Sequence, residues 1–210
     1  FGGLISEPNT PKKTGYEFVG WNTMADGTGS MWDFTTSTMP QMDVTLYAQW
    51  EIIDYTMSYD TNNADTYAPD SETLHYGDYV TEPAAPEKTG YEFDGWNMMR
   101  DGLGAFWDFI TMTMPANDVE LDADWNITSL TVDPIAPGDS CMSGSNGVPG
   151  ATVEITDIFG NVIGTTVVNS DGTWQYCGDI ITEEDDIFVN QVDEDGKVSD
   201  KVEVVKPSSY

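Results

Sequence analysis

Among 210 residues the chain has one histidine, two cysteines and seven lysines or arginines, set against 37 acidic residues. Each scarcity closes a class of chemistry. With His75 as the lone imidazole, a Ser-His-Asp or Cys-His site has a single possible base, and it falls where a strand residue is expected, before Tyr76-Gly77. A zinc site needs several Cys and His ligands at close spacing, which one histidine and two distant cysteines do not supply. Seven cations in a chain of formal charge -30 exclude nucleic acid as a partner, because phosphate binding requires clustered Lys and Arg. Anionic membrane surfaces are excluded for the same reason. No run approaches the roughly 20 apolar residues of a membrane span, and the amino terminus lacks the basic-plus-apolar pattern of a signal sequence. No phosphate-cradling glycine loop or nucleophile elbow is visible. Carboxylate pairs are so numerous that glycosidase geometry can be imagined anywhere, which makes no pair informative.

The acidic excess is spread along the chain: -5 over residues 1–54, -13 over 55–126 and -12 over 127–210. It reads as a solvated skin that favours solubility and self-repulsion. Aromatic residues make up 12% and include seven Trp, far from the composition of disordered chains. The chain builds cores, and small ones.

The stretch KTGYEFVGWN at residues 13–22 returns as KTGYEFDGWN at 88–97. Sliding residues 1–50 over 76–125 without a gap gives 29 identities in 50: an internal repeat. Residues 55–75 have no counterpart before Phe1, so the first copy begins inside a unit. At the other end VKPSSY reads like the start of a linker, and the 210 residues are expected to be a piece of a longer protein.

In residues 44–50, Val44, Leu46, Ala48 and Trp50 alternate with Thr45, Tyr47 and Gln49, the period of a strand with one buried face. The second copy keeps the inner set as Val119, Leu121, Ala123 and Trp125 and turns the outer set into Glu120, Asp122 and Asp124. Tyr16 and Phe18 alternate with Glu17 and Val19, and the single change in the decapeptide, Val19 to Asp94, falls on the outer parity. Gly20 and Gly95, each directly before a Trp, suit a bulge or a close backbone approach. ADGTG and RDGLG read as hairpin turns. TMPQMD and TMPANDV leave room for one helical turn, with Pro40 and Pro115 at its first position, so each repeat is expected to be mainly strand with a short helical piece.

YTMSYDTNN, YGDYVTEPAAPEKTGYEFDGWN, WDF and MPANDVELDADW together resemble the Listeria-Bacteroides repeat, the B-repeat of internalins and related bacterial surface proteins. The resemblance covers most of 55–125 and the last two-thirds of a unit in 1–50. It implies a small β-grasp-like fold, α+β in type, strung in tandem on secreted or wall-attached proteins. One departure is DTNN where the family has a turn ending in Gly-Gly, which predicts an atypical first hairpin.

After Trp125 short alternating strands are separated by turn signals about every ten residues, the spacing of a β-sandwich. Val153 and Ile155 are expected inward, FGN at Phe159, SDG at Ser170 and DEDG at Asp193 are expected to close hairpins, and Trp174, Tyr176, Val202 and Val204 are expected to share the core face. Residues 147–153 and 171–174 carry the G-x-P-G-A-x-V and D-G-x-W patterns of bacterial Ig-like domains. This resemblance implies a stalk module on an exported protein. The expected organisation is therefore a partial repeat at 1–53, a complete repeat at 54–126, an Ig-like sandwich at 127–206 and a linker at 207–210, joined by the short segments EIID and NITS.

Calcium is the one ligand with a candidate motif. QVDEDG sets Gln191, Asp193, Asp195 and Gly196 at positions 1, 3, 5 and 6 of an EF-hand-like loop, but position 1 is not acidic and position 12 is Val202 rather than a bidentate Glu. A hairpin turn accounts for it better, leaving an irregular site drawn from Asp193, Asp195, Glu183 and Asp186 as the alternative; no other cofactor is expected. Cys141 and Cys177 share the outward parity, so a bond between neighbouring strands is feasible, and a disulfide is favoured over two unlinked thiols in an exported protein. Each Trp has an inward position by repeat or parity, which leaves no spare ring for a glycan platform.

The expected function is that of a monomeric, elongated, non-enzymatic stalk of a bacterial surface protein, presenting other domains and contributing to adhesion. The alternatives are a module that binds a host protein or glycan directly, and the accessory tail of a secreted carbohydrate-active enzyme.

Overall fold

The computed structural model describes residues 2–136, 139–178 and 186–205; the linker expected at 207–210 lies outside them. The described residues form twelve strands: β1 (Tyr16–Asn22), β2 (Tyr47–Ile52), β3 (Asp54–Asp60), β4 (Glu72–His75), β5 (Tyr91–Asn97), β6 (Val119–Ile127), β7 (Cys141–Gly144), β8 (Thr152–Thr156), β9 (Val162–Val167), β10 (Trp174–Cys177), β11 (Phe188–Val192) and β12 (Val202–Glu203). The described residues contain no helix. The fold is mainly β, and the helical piece expected at Pro40 and Pro115 is corrected: each segment passes from an isolated bridge into a bend. Its backbone is engaged laterally instead. Thr38 bridges to Leu4 and Thr113 to Tyr79, while Met39 N donates to Gly3 O and Met114 N to Asp78 O at 2.9 and 2.8 Å. Pro40 and Pro115 follow directly on these bridged segments.

The repeat is visible in the register. β1 and β2 pair antiparallel with Phe18 opposite Trp50 and Trp21 opposite Ala48, and a bulge between Phe18 and Gly20. β5 and β6 repeat this with Phe93 opposite Trp125, Trp96 opposite Ala123 and a bulge between Phe93 and Gly95. Both bulge glycines hold φ near 151°, outside the range L side chains favour. The amides of Asn22 and Asn97, 2% and 1% exposed, donate to the carbonyls of Gly27 and Gly29, and of Gly102 and Gly104, so each Asp-Gly turn is tied from inside.

The first repeat has a two-stranded sheet, β1-β2, whereas the second has the order β4-β3-β6-β5. Asp54 opposite His75 opens the β3–β4 ladder. The segments expected as linkers are largely strand: β2 runs to Ile52, β3 starts at Asp54 and β6 continues through Ile127. At the DTNN departure Asn62 and Asn63 adopt φ of 49° and 63°, the left-handed conformation that Asn tolerates best after Gly. Asn62 keeps the turn by donating its backbone N–H to Asp60 Oδ1 at 2.8 Å. Asp122, expected on the outer face, is 8% exposed, while Glu120 and Asp124 on the same parity are less covered.

The described residues between 128 and 205 form a sandwich of a two-stranded sheet, β10-β7, and a four-stranded one, β12-β11-β8-β9. Met142, Val153, Ile155, Trp174, Ile187 and Val189, all 1% exposed or less, make its core; burying each such aliphatic contributes about 1.5–3 kcal/mol. Cys141 lies opposite Cys177 in the β7–β10 ladder, and the two are disulfide-bonded.

By contact density the chain divides into two compact units. One holds Phe1–Ser58, Asp70–Glu82 and Asp108–Glu120; the other holds Tyr59–Pro69, Pro83–Trp107 and Leu121–Tyr210. The division passes through the second repeat, so the β5–β6 half of that repeat and the sandwich belong to one unit.

Candidate functional site

Within the second unit the side chains of the Lys-Thr-Gly-Tyr stretch at residues 88–91 meet the sandwich. Gly90 has φ +81°, and a Cβ there would stand 2.7 Å from both the backbone N and Cγ2 of Val148. Only glycine fits. Its carbonyl accepts from Thr128 N at 3.0 Å and Thr128 Oγ1 at 2.8 Å, which turns the chain into the sandwich. Beside it the Tyr91 hydroxyl donates to Asp193 Oδ2 at 2.6 Å. Asp193 Oδ1 closes the β11–β12 turn by accepting from the N–H groups of Asp195 and Lys197 at 3.0 and 2.8 Å. Lys197 Nζ returns to the Trp125 carbonyl at 2.9 Å. Gln191, fully buried, donates from Nε2 to Thr128 O at 2.7 Å and accepts from Val148 N at 2.7 Å.

A cleft of about 390 Å³ opens beside this joint, lined by Lys88, Tyr91, Trp125, Asp193 and Lys197 among others. Lys88 Nζ lies 4.5 Å from the Tyr91 ring centroid and 5.6 Å from that of Trp125, donating to Asn62 O at 3.2 Å. Such ring faces attract a cation. Burial lowers the pKa of Lys88 and the positive Lys197 lowers it further, with Asp193, Asp195 and Asp65 acting against them. Burial, and then the bond to Asp193, raises the pKa of Tyr91, so it stays a neutral donor. The hydroxyl and N–H of Thr89 hold Asp65 below the usual carboxylate range.

The first repeat carries the same device within the first unit. Lys13 Nζ lies 3.4 Å from the Tyr16 centroid and 5.9 Å from that of Trp50. Ile53 N donates to Gly15 O at 3.0 Å, as Thr128 N does to Gly90 O. Gly15 has φ +77°, and a Cβ there would stand 2.6 Å from Cβ of Tyr76. Each Lys-Thr-Gly-Tyr stretch is therefore a socket against which a later residue of the chain is seated.

The remaining candidates are scattered. His75 ends β4 with Nε2 3.1 Å from Asp54 Oδ1 and Nδ1 3.3 Å from Asp78 Oδ2, a surface cluster without a nucleophile. Among the calcium candidates, Asp193 has both oxygens engaged as described, Asp195 contributes its N–H to the same turn, Asp186 stands before β11, and Glu183 lies outside the described residues. No three His, Cys, Asp or Glu side chains are grouped to hold an ion among the described residues. Trp96, Trp107, Trp125 and Trp174 are buried at 1–6% exposure, while Trp21, Trp32 and Trp50 are only partly covered. The socket itself is missed by strand parity, which reads Tyr16 and Tyr91 as ordinary inward residues. Its signal is that Lys-Thr-Gly is copied without change although it precedes the alternating part of the strand.

Residues 1–49 and 55–124 match the family model of the Listeria-Bacteroides repeat domain, and residues 128–208 match that of the bacterial Ig domain. Internalin H of Listeria monocytogenes is 43% identical over 122 residues, covering 58% of this chain and 21% of that protein. A predicted Gly-rich membrane protein of Evansella cellulosilytica is 38% identical over 149 residues, covering 67% of this chain and 17% of that protein. Among solved structures, the BSP domain of a biofilm associated protein aligns with a TM-score of 0.33 and 20% identity, over 43% of this chain and 17% of that one. The chain spans about a fifth of the length of the curated relatives it matches.

Proposed function

The chain belongs to the Listeria-Bacteroides repeat family of cell-surface proteins, and from that premise we propose that it is a monomeric, non-enzymatic spacer that holds other parts of an extracellular, wall-associated bacterial protein at a set distance. The observation that carries this reading is the socket at residues 88–91. A spacer has to transmit orientation from one module to the next, and the socket joins two modules by a glycine that admits no side chain, a buried amide bridge and a tyrosine–carboxylate bond. These contacts position modules and bring no nucleophile to a base. The 30 excess negative charges favour the monomer by self-repulsion.

The test is a distance distribution between labels at Met99→Cys and Phe159→Cys, both exposed positions of the second unit. The expected result is one narrow distribution that broadens in Gly90→Val. Equal breadth in both proteins would remove the spacer reading.

A further inference from the structure

Trp96 and Trp107 stand opposite one another across the hairpin that carries the second repeat's Asp-Gly turn. Asn97 bridges to Phe106, and on either side the N–H of Met98 donates to Ala105 O at 3.0 Å and that of Trp107 to Trp96 O at 2.8 Å. The two tryptophans therefore share one face of the ladder, where opposite residues have Cβ atoms about 4.5–5.5 Å apart. Both rings are buried, at 3% and 6% exposure. Neither indole N–H, itself buried, meets an acceptor among the described residues.

The first repeat carries the same pair. Asn22 bridges to Met31, Trp32 N donates to Trp21 O at 2.7 Å, and the indole N–H groups of Trp21 and Trp32 are again buried with no acceptor among the described residues. The two residues before the second tryptophan change from Ser30-Met31 to Ala105-Phe106, yet both indoles stay. Ring contacts hold them alike: Trp21 meets Phe18 edge-on at 5.5 Å, and Trp96 meets Phe93 edge-on at 5.4 Å. Elsewhere the chain gives an indole a carbonyl, since Trp125 Nε1 donates to Thr61 O at 3.1 Å and Trp174 Nε1 to Thr131 O at 3.2 Å.

An indole N–H donates and accepts nothing, and burying it without an acceptor costs the desolvation of the group. Two such donors side by side, found twice, call for one acceptor between them. An anion does not suit the place. The chain has a formal charge of -30, its ring-bound lysines rest on Tyr16, Trp50, Tyr91 and Trp125, and a buried anion without a cation is costly. Water suits it, because its oxygen accepts two N–H bonds and needs no countercharge. We propose that the indole N–H groups of Trp96 and Trp107 hold one buried water molecule between them, and that Trp21 and Trp32 hold its counterpart in the first repeat. The bridge ties the two sides of each hairpin through side chains, beside the lock that Asn97 and Asn22 place on the turn. The inference stands independently of the spacer reading.

The test is nuclear magnetic resonance of the whole 210-residue chain labelled on its indole nitrogens, with cross-relaxation to water read at each indole proton. Trp96, Trp107, Trp21 and Trp32 are expected to show water cross-peaks of opposite sign in the laboratory and rotating frames, the signature of a bound water and not of proton exchange. Trp125 and Trp174, bonded to carbonyls, are expected to show none. In Trp107→Phe the Trp96 cross-peak is expected to fall roughly five-fold or more, because a water that loses one of its two donors is held less long. Trp32→Phe is expected to do the same to Trp21, so either variant serves if the other does not fold. Absence of water cross-peaks at Trp96 and Trp107 in the wild type would overturn the proposal. So would equal cross-peaks at Trp125 and Trp174, an undiminished Trp96 cross-peak in folded Trp107→Phe, indole shifts that titrate with chloride, or indole protons moved far upfield by a ring face acting as acceptor.

Discussion

The hydroxyl of Tyr91 and the carboxylate of Asp193, 102 residues apart in sequence, meet at 2.6 Å, joining the strand that opens the second repeat's hairpin to the last tight turn of the sandwich. A hydrogen bond to a charged acceptor is worth about 1.5–3 kcal/mol when desolvated; this pair is part-buried, so Tyr91→Phe is expected to lower the stability of the second unit by about 1–2 kcal/mol in urea denaturation.

The same bond sets a pH response. The pKa of Tyr91 is raised above its ordinary 10.0, so stability from this group is complete below pH 10. It declines as pH rises beyond 10, where the unfolded chain releases a proton that the folded chain retains. The wild type is expected to lose stability above pH 10 more steeply than Tyr91→Phe. Parallel curves would contradict the direction, and the difference between the two proteins cancels the opposing titration of Lys88.

Three glycines separate crowding from backbone strain. Gly77→Ala, with φ +91° and open space around the position, is expected to cost about 1–2 kcal/mol from the left-handed conformation alone. Gly90→Ala and Gly15→Ala add a clash against Val148 and Tyr76 and are expected to cost at least about 1 kcal/mol more. Thermal unfolding of the three variants provides the ranking, and equal losses would show that the sockets yield.

Trp96→Ala and Trp125→Ala are expected to cost about 3–5 kcal/mol each, the range for emptying a filled core position. Trp21→Ala and Trp50→Ala, whose rings are partly exposed, are expected to cost about half as much. Among the strands of the repeats, amide exchange measured on the wild type is expected to be fastest in residues 16–22 and 47–52, matching the small two-stranded sheet they form.

Cys141 and Cys177 enclose a separation of 36 residues, for which the chain-entropy treatment gives about 4 kcal/mol. Reduction, or the double replacement Cys141→Ala and Cys177→Ala, is expected to lower the sandwich's unfolding free energy by that amount while leaving the exchange rates of residues 16–22 unchanged.

Strand parity and repetition made much of the fold legible, because a period of two reports which face is buried wherever one face meets water. Thus Val153, Ile155 and Trp174 lie inward as their alternation requires. Parity names a face and not what covers it, and Asp122 on the outer parity of β6 is 8% exposed. The helical turn at Pro115 was misread because local preference competes there with the lateral bonds of Met114 and Gly77, which join residues 37 positions apart. The socket escaped for a related reason. The partnership of Gly90 with Val148 and of Tyr91 with Asp193 depends on the later module, and nothing in a tetrapeptide names what it will touch. Only its exact recurrence hinted at a duty beyond the turn.

The Lys-Thr-Gly-Tyr stretch belongs to the repeat that comes before each seam and not to whatever follows it. Unequal crossing-over between two copies of such a repeat at the DNA level would carry a complete fastening with every added or deleted unit. The gene can therefore lengthen or shorten by whole repeats while each new seam needs only one accommodating surface, a small residue or ring edge comparable to Val148 or Tyr76, on the downstream side.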